Sequence, residues 1–206
     1  MIKASTYFVQ FIVIVFLFLI FKILGLKISS HLGGKLGKFF GPFFRSKKLI
    51  RSNISMSLPH LSTEKIKEIE KDMWNNYGRI LAEYMYIKYF RQLKNNHKII
   101  IDGKNILDEV KKNNEPVIFV SGHFNNFELM AMEIEKSGIN LSAIYRPLNN
   151  VFLNVLMEKI RKKYICKNQI KKGTGGVREL LKLYKKGYSI ALMIDQRVSE
   201  GIKSKF

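Results

Sequence analysis

The sequence predicts an α/β fold: a mixed, largely parallel sheet flanked by helices and preceded by an N-terminal membrane-anchor helix. Three observations carry that reading. Short apolar runs alternate with segments of helical periodicity through the second half of the chain, and strands separated by helices pair in parallel. Residues 4–21 form 18 consecutive uncharged positions, mostly Ile, Val, Phe and Leu, bracketed by Lys3 and Lys22. That is long enough to cross a bilayer or to lie in it as a monotopic anchor. No internal repeat or low-complexity run breaks the pattern, and 206 residues leave room for one core.

Each element has its own signal. A cleaved signal peptide needs small residues at its processing site, and the run from Lys22 to Lys27 contains no Ala-x-Ala pattern, so the first segment reads as an anchor. Residues 35–44 place Phe39, Phe40, Phe43 and Phe44 among lysines around Pro42. They read either as an irregular loop or as an interfacial segment whose rings enter the membrane while its cations meet lipid phosphates. Ile66, Ile69, Met73, Tyr77, Ile80, Leu81 and Tyr84 keep helical spacing and predict a helix over 62–84. Beyond it the patterning predicts strands at 99–101, 117–120, 141–145 and 188–194. Helices are expected at 105–112, 127–136, 151–163 and 177–185. Gly173-Thr-Gly-Gly176 lacks the spacing of either common phosphate-binding glycine loop and reads as the start of the helix that carries Arg178.

Charge and cysteine usage narrow the function. There are 36 Lys and Arg against 16 Asp and Glu, a formal net charge of +20, which calls for an anionic partner unless many lysines are merely solvated. The bias is strongest at the start, where nine basic residues and no acidic one precede Glu64. Cations at 22, 27, 35, 38, 45, 47, 48 and 51 place everything after the anchor in the cytoplasm by the positive-inside rule. Cys166 stands alone, so no disulfide framework and no cysteine zinc site can form within the chain. His31, His60 and His97 lack partners at ligand spacing, so neither a metal nor a cofactor is expected.

The chemistry concentrates in Val117-Ile-Phe-Val-Ser-Gly-His-Phe-Asn-Asn-Phe-Glu128. An apolar strand delivers His123 to a sheet edge, and active sites in such sheets gather beyond the carboxyl ends of the strands. Asn125-Asn126 read as the cap of the next helix. On one continuous helix His123 and Glu128 would stand about 140° apart. They meet only with His123 in the turn and Glu128 in the first helical turn, where the carboxylate fixes the imidazole tautomer and the other ring nitrogen serves as general base. Arg146 and Asp195 also lie just past strand ends. The guanidinium of Arg146 suits a phosphate or carboxylate, while Asp195 has three readings: orienting Arg146, orienting another cation, or finishing its strand. The candidate catalytic pair is His123 and Glu128; the candidate substrate-binding set is Asn126, Arg146, Arg178 and Asp195. No Gly-x-Ser-x-Gly nucleophile elbow is present, so the pair reads as general-base rather than covalent chemistry.

His123-x4-Glu128 after an apolar strand resembles the His-x4-Asp/Glu signature of lipid acyltransferases. The wider sequence is similar to the lipid A biosynthesis acyltransferases, the lauroyl and myristoyl transferases of Gram-negative bacteria. Asn53-Ile-Ser-Met-Ser-Leu-Pro59, Tyr145-Arg146-Pro147 with Asn149-Asn150, Gly175-Gly176-x-Arg178 and Asp195-Gln196 follow the family's order. The resemblance implies a glycerolipid-acyltransferase-like sheet and O-acyl transfer. It also implies acyl carrier protein as donor and a phosphorylated lipid A precursor glycolipid as acceptor, in the bacterial inner membrane. The expected plan is an anchor over 1–26, a basic interfacial segment over 27–62 that meets anionic membrane lipids, and an acyltransferase domain over 63–206. That domain is expected to be incomplete, because relatives continue where this chain reaches Lys203-Ser-Lys-Phe206. The other readings are an acyltransferase for another membrane glycolipid or phospholipid, and a non-enzymatic basic membrane-anchored binding protein. For the latter no nucleic-acid module is visible.

Overall fold

Contacts divide the computed structural model into two compact units, Met1–Tyr89 and Phe90–Phe206. It describes residues 2–93 and 99–196; His97 and the run 203–206 lie outside the described residues.

The first unit is helical. α1 (Ile2–Leu24) carries a 21-residue stretch, Ala4–Leu24, that is long and apolar enough to cross a membrane, with a mean hydropathy of 2.6. It stops at Gly25, whose φ of +78° suits glycine and breaks the helix before α2 (Leu26–Phe40). Phe18 and Phe21, near the end of α1, are buried. The Phe21 carbonyl accepts hydrogen bonds from the hydroxyls of Ser29 and Tyr86. A 3-10 turn (Gly41–Phe43) leads to α3 (Lys47–Ser57), capped by Ser46. α4 (Thr63–Glu83) comes next, with Ser62 accepting from the Lys65 N–H and Glu64 in its first turn, as a helix start demands. α2 and α4 pack backbone to backbone. A Cβ on Gly78 would land on the Gly33 carbonyl, so neither position has room for a side chain. A second 3-10 turn (Tyr84–Tyr86) and α5 (Ile87–Gln92) end the helical run.

The second unit is the α/β part. In chain order it runs α6 (Lys104–Asn113), β1 (Ile118–Ser121), α7 (Glu128–Lys136), β2 (Leu141–Tyr145), α8 (Val151–Tyr164), β3 (Asn168–Lys171), α9 (Thr174–Tyr184) and β4 (Ser189–Met193). The strands form one sheet in the order β1-β4-β2-β3, and all three pairings are parallel. Ile170, Leu180 and Ile190 make a core cluster between sheet and α9, joined by Ile144, Leu183, Tyr184 and Leu192. Cys166 is buried in the same unit; its thiol donates to the Leu141 carbonyl and burial pushes its pKa up to about 11, as befits a structural side chain.

The α/β reading therefore holds, with a parallel sheet. β2 lies where expected, β1 and β4 lie within a residue of expectation, and α8 extends one residue further. α3 and α5 are additions to the expected helices, α9 starts three residues earlier than expected, and three further segments differ. Residues 99–101 are not a strand; three apolar residues ahead of the Asp102-Gly103 turn are too few to hold a place in the sheet. β3 is an addition to the expected set, because Asn168-Gln-Ile-Lys171 buries only Ile170. Residues 35–44 are not an irregular loop: α2 continues to Phe40, its glycines tolerated because helix packing needs them.

Candidate active site

The site is built by strand register. β1 and β4 are parallel neighbours with Ser121 opposite Met193, and the ladder continues as the Ile194 N–H donates to the Ser121 carbonyl at 3.0 Å. Two residues further on, at the carboxyl ends of adjacent strands, stand His123 and Asp195. The imidazole Nδ1 lies 2.7 Å from Asp195 Oδ1, and the His123 backbone N–H donates to Asp195 Oδ2 at 2.8 Å. One carboxylate thus grips both the ring and the backbone of a single residue.

Local sequence makes that grip possible. A Cβ on Gly122 would crowd the Phe124 ring and come within 3.3 Å of Asp195 Oδ2. Asn125 takes a left-handed φ of 41°, a conformation Asn tolerates, and turns the chain into α7. The capping expectation is corrected here: Phe127, not an Asn, occupies the cap position, without a side-chain cap bond. The Phe127 ring instead meets the His123 ring edge to face at 4.7 Å between centroids. Aromatic contact and carboxylate together restrict the imidazole to one orientation.

Electrostatics agree with the geometry. The His123 backbone N–H, and then its side chain, hold the Asp195 carboxyl below its ordinary value of 3.8, so Asp195 is ionised near neutrality. An ionised carboxylate accepts only, which makes Nδ1 the donor and leaves the lone pair on Nε2. The His123 side chain keeps 28% of its surface exposed. The arrangement suits a base whose proton source lies outside the sheet.

Glu128 sits elsewhere. It opens α7 as expected, but its carboxylate is buried against Arg161 of α8, 2.7 Å from Nε and 2.6 Å from Nη2. The carboxylate on the imidazole is therefore that of Asp195 rather than Glu128. The physical reason is that Phe127 occupies the ring's flank while Arg161, itself largely buried, requires an anion. The Arg161 guanidinium also lies over the Tyr145 ring at 5.6 Å. The Tyr145 hydroxyl donates to Glu158 at 2.8 Å, and burial, then that bond, raises its pKa to about 12. Sequence reasoning missed Arg161 and Tyr145 as partners. The available signal was the charged run on α8, where Glu158 and Arg161 share one face.

The other candidates lie on three further segments: the end of β2, helix α9 and the turn before α7. Arg146 comes directly after β2, is exposed, and makes no hydrogen bond or ion pair with another described residue. Arg178 is exposed on α9. Asn126 is half-buried in the turn between His123 and Glu128. Among the described residues no three His, Cys, Asp or Glu side chains converge as metal ligands would.

The family model for bacterial lipid A biosynthesis acyltransferases matches residues 2–206. The chain is 21% identical over 163 residues to the lipid A biosynthesis myristoyltransferase of Escherichia coli (strain K12), an alignment covering 79% of this chain and 50% of that relative. It has the same identity and coverage with lipid A biosynthesis acyltransferase 1 of Shigella flexneri. The chain spans about half the length of these curated relatives.

Proposed function

The chain belongs to the bacterial lipid A biosynthesis acyltransferase family, and from that premise we propose that it moves a fatty acyl group from a thioester to a hydroxyl of a lipid A precursor. His123 is the general base and Asp195 the carboxylate that orients it. The observation carrying this reading is the 2.7 Å bond from Nδ1 to Asp195, which leaves Nε2 basic. The acceptor oxygen attacks the thioester carbonyl as Nε2 takes its proton, and Asp195 stabilises the imidazolium. Collapse of the tetrahedral intermediate breaks the C–S bond, the imidazolium returns the proton to the departing thiolate, and an ester has replaced a thioester. Glu128 acts through Arg161 as a positioning residue that fixes the start of α7 and with it the His123 loop.

The donor in this proposal is acyl carrier protein, an acidic partner suited to a chain of net charge +20. Arg146 and Arg178 hold the acceptor's phosphates, and Asn126 completes the substrate-binding set. α1 anchors the chain in the bacterial inner membrane, and the excess of Lys and Arg after it keeps the rest of the chain in the cytoplasm.

The test is to reconstitute the full chain in vesicles with acyl-loaded carrier protein and a lipid A precursor, and to track the acceptor by mass spectrometry. The acceptor should gain one acyl group, and the protein should carry none at any time. An acyl-protein adduct that chases into product would overturn direct transfer. An unchanged acceptor, with protein of verified fold, would overturn the reading as a whole.

A further inference from the structure

The first unit displays two opposite faces on one helix. On α2 the small residues Ser29, Ser30, Gly33 and Gly34 are buried, and Gly33 lies against Gly78 of α4. The other side is exposed and carries Lys27, His31, Lys35 and Lys38 at helical spacing, with Lys38 3.5 Å from Asp72. α2 ends on Phe39 and Phe40 and tightens through Gly41 and Pro42 into the 3-10 turn, which brings Phe43 and then Phe44, so that four large apolar rings are exposed within six residues. Phe39 and Phe40 are 68% and 50% exposed, Phe43 and Phe44 80% and 79%. Exposed Arg45, Lys47 and Lys48 come immediately after.

Water-facing phenylalanines in such a cluster are costly unless something covers them. The charge around them says what. Apolar rings ringed by cations, with no acidic residue before Glu64, complement a surface that is apolar beneath and anionic on top. α1, a candidate span, ends two residues before α2 begins, so a bilayer is within reach of this face. We propose that the outer face of α2 and the Phe39–Phe44 turn form a second, peripheral membrane contact that docks on anionic lipid headgroups. The rings sit at the level of the headgroups and upper acyl chains, and the lysines and Arg45 meet phosphates. This contact is independent of the acyl-transfer reading.

A probe at the turn tests it in the full chain. Cys166 is the only native thiol and is buried, so a Phe44→Cys variant can be labelled there with the environment-sensitive fluorophore NBD. On vesicles containing phosphatidylglycerol the label should brighten, shift to the blue and be quenched by spin-labelled headgroups. On phosphatidylcholine alone it should do so far less, and added salt should reduce the anionic-lipid signal. Adding Lys35→Gln, Arg45→Gln and Lys48→Gln should lower the inserted-to-free ratio by on the order of a hundredfold, at about fivefold per cation. A label that stays water-exposed on anionic vesicles overturns the proposal. So does a blue shift that disappears when the protein is diluted in excess lipid, which would make the face a contact between copies of this chain.

Discussion

Two carboxylates five and seventy-two residues from His123 occupy two contrasting regions of the second unit. Asp195 stands at the open edge of the sheet, 40% of its side chain exposed, on the ring and backbone of a half-buried histidine. Glu128 lies in the packed layer of α7 and α8, 9% of its side chain exposed, on a nearly buried guanidinium. The same functional group does opposite work in the two places. At the edge, water can reach both members of the pair; in the layer, neither charge can leave without stranding the other.

The sharpest way to separate the regions is His123→Ala. It should cost acyl transfer roughly a hundredfold to ten-thousandfold while leaving the melting temperature near wild type, since an exposed pair contributes little to folding. Near-normal turnover in the purified variant would remove the base from the mechanism. Glu128→Ala should do the reverse. By stranding Arg161 it should lower stability by about 3–5 kcal/mol, measurable by denaturant or thermal unfolding, with Glu128→Gln milder. The double change Glu128→Met with Arg161→Leu should recover much of that loss, because removing both buried charges is far cheaper than removing one. If Glu128→Ala unfolds like wild type yet loses turnover as His123→Ala does, Glu128 belongs to the chemistry and the contrast collapses.

Asp195→Asn probes the edge alone. An amide has one acceptor oxygen where the carboxylate uses two, so it cannot hold both the His123 N–H and Nδ1–H or balance an imidazolium; turnover should fall roughly a hundredfold to ten-thousandfold, with little change in unfolding. The smallest effect is in acid. Asp195 has a folded value below its ordinary 3.8, so its contribution is present above that pH and is lost as the pH falls through the lower folded value. Wild type should therefore lose slightly more stability than Asp195→Asn on acidification below about pH 4. Parallel acid titrations would show that the pair contributes nothing to folding.

How much the sequence reveals depends on how local each signal is. β2 and α8 are readable because Leu141–Tyr145 and Val151–Tyr164 carry their periodicity within themselves, and Asn150 supplies a cap that accepts from Phe152 and Leu153. His123 and Asp195 can each be placed past a strand end. Their partnership cannot, because it depends on β4 inserting beside β1, a fact of register between segments far apart in the chain. Proximity along the chain favours Glu128 instead, and only the position of Arg161 shows why it is taken. β3 is hidden because an edge strand with one buried residue has almost no alternation to detect.

The strand order also sets a timetable for the growing chain. β4 fills the gap between β1 and β2, yet it is the last described strand to be synthesised, and His123 precedes Asp195 by 72 residues. At 5–20 residues per second, a ribosome needs between about 4 and 14 s to cover that distance. Throughout that interval β1 lacks its described neighbour, and once residue 171 has been added the β2–β3 pair presents an unpaired rim of amides and carbonyls. Formation of the sheet therefore includes a waiting period during which β1 and the β2–β3 pair expose unpaired strand edges. Asp195 emerges after every described strand, so its bond to His123 can form only once β4 lies beside β1.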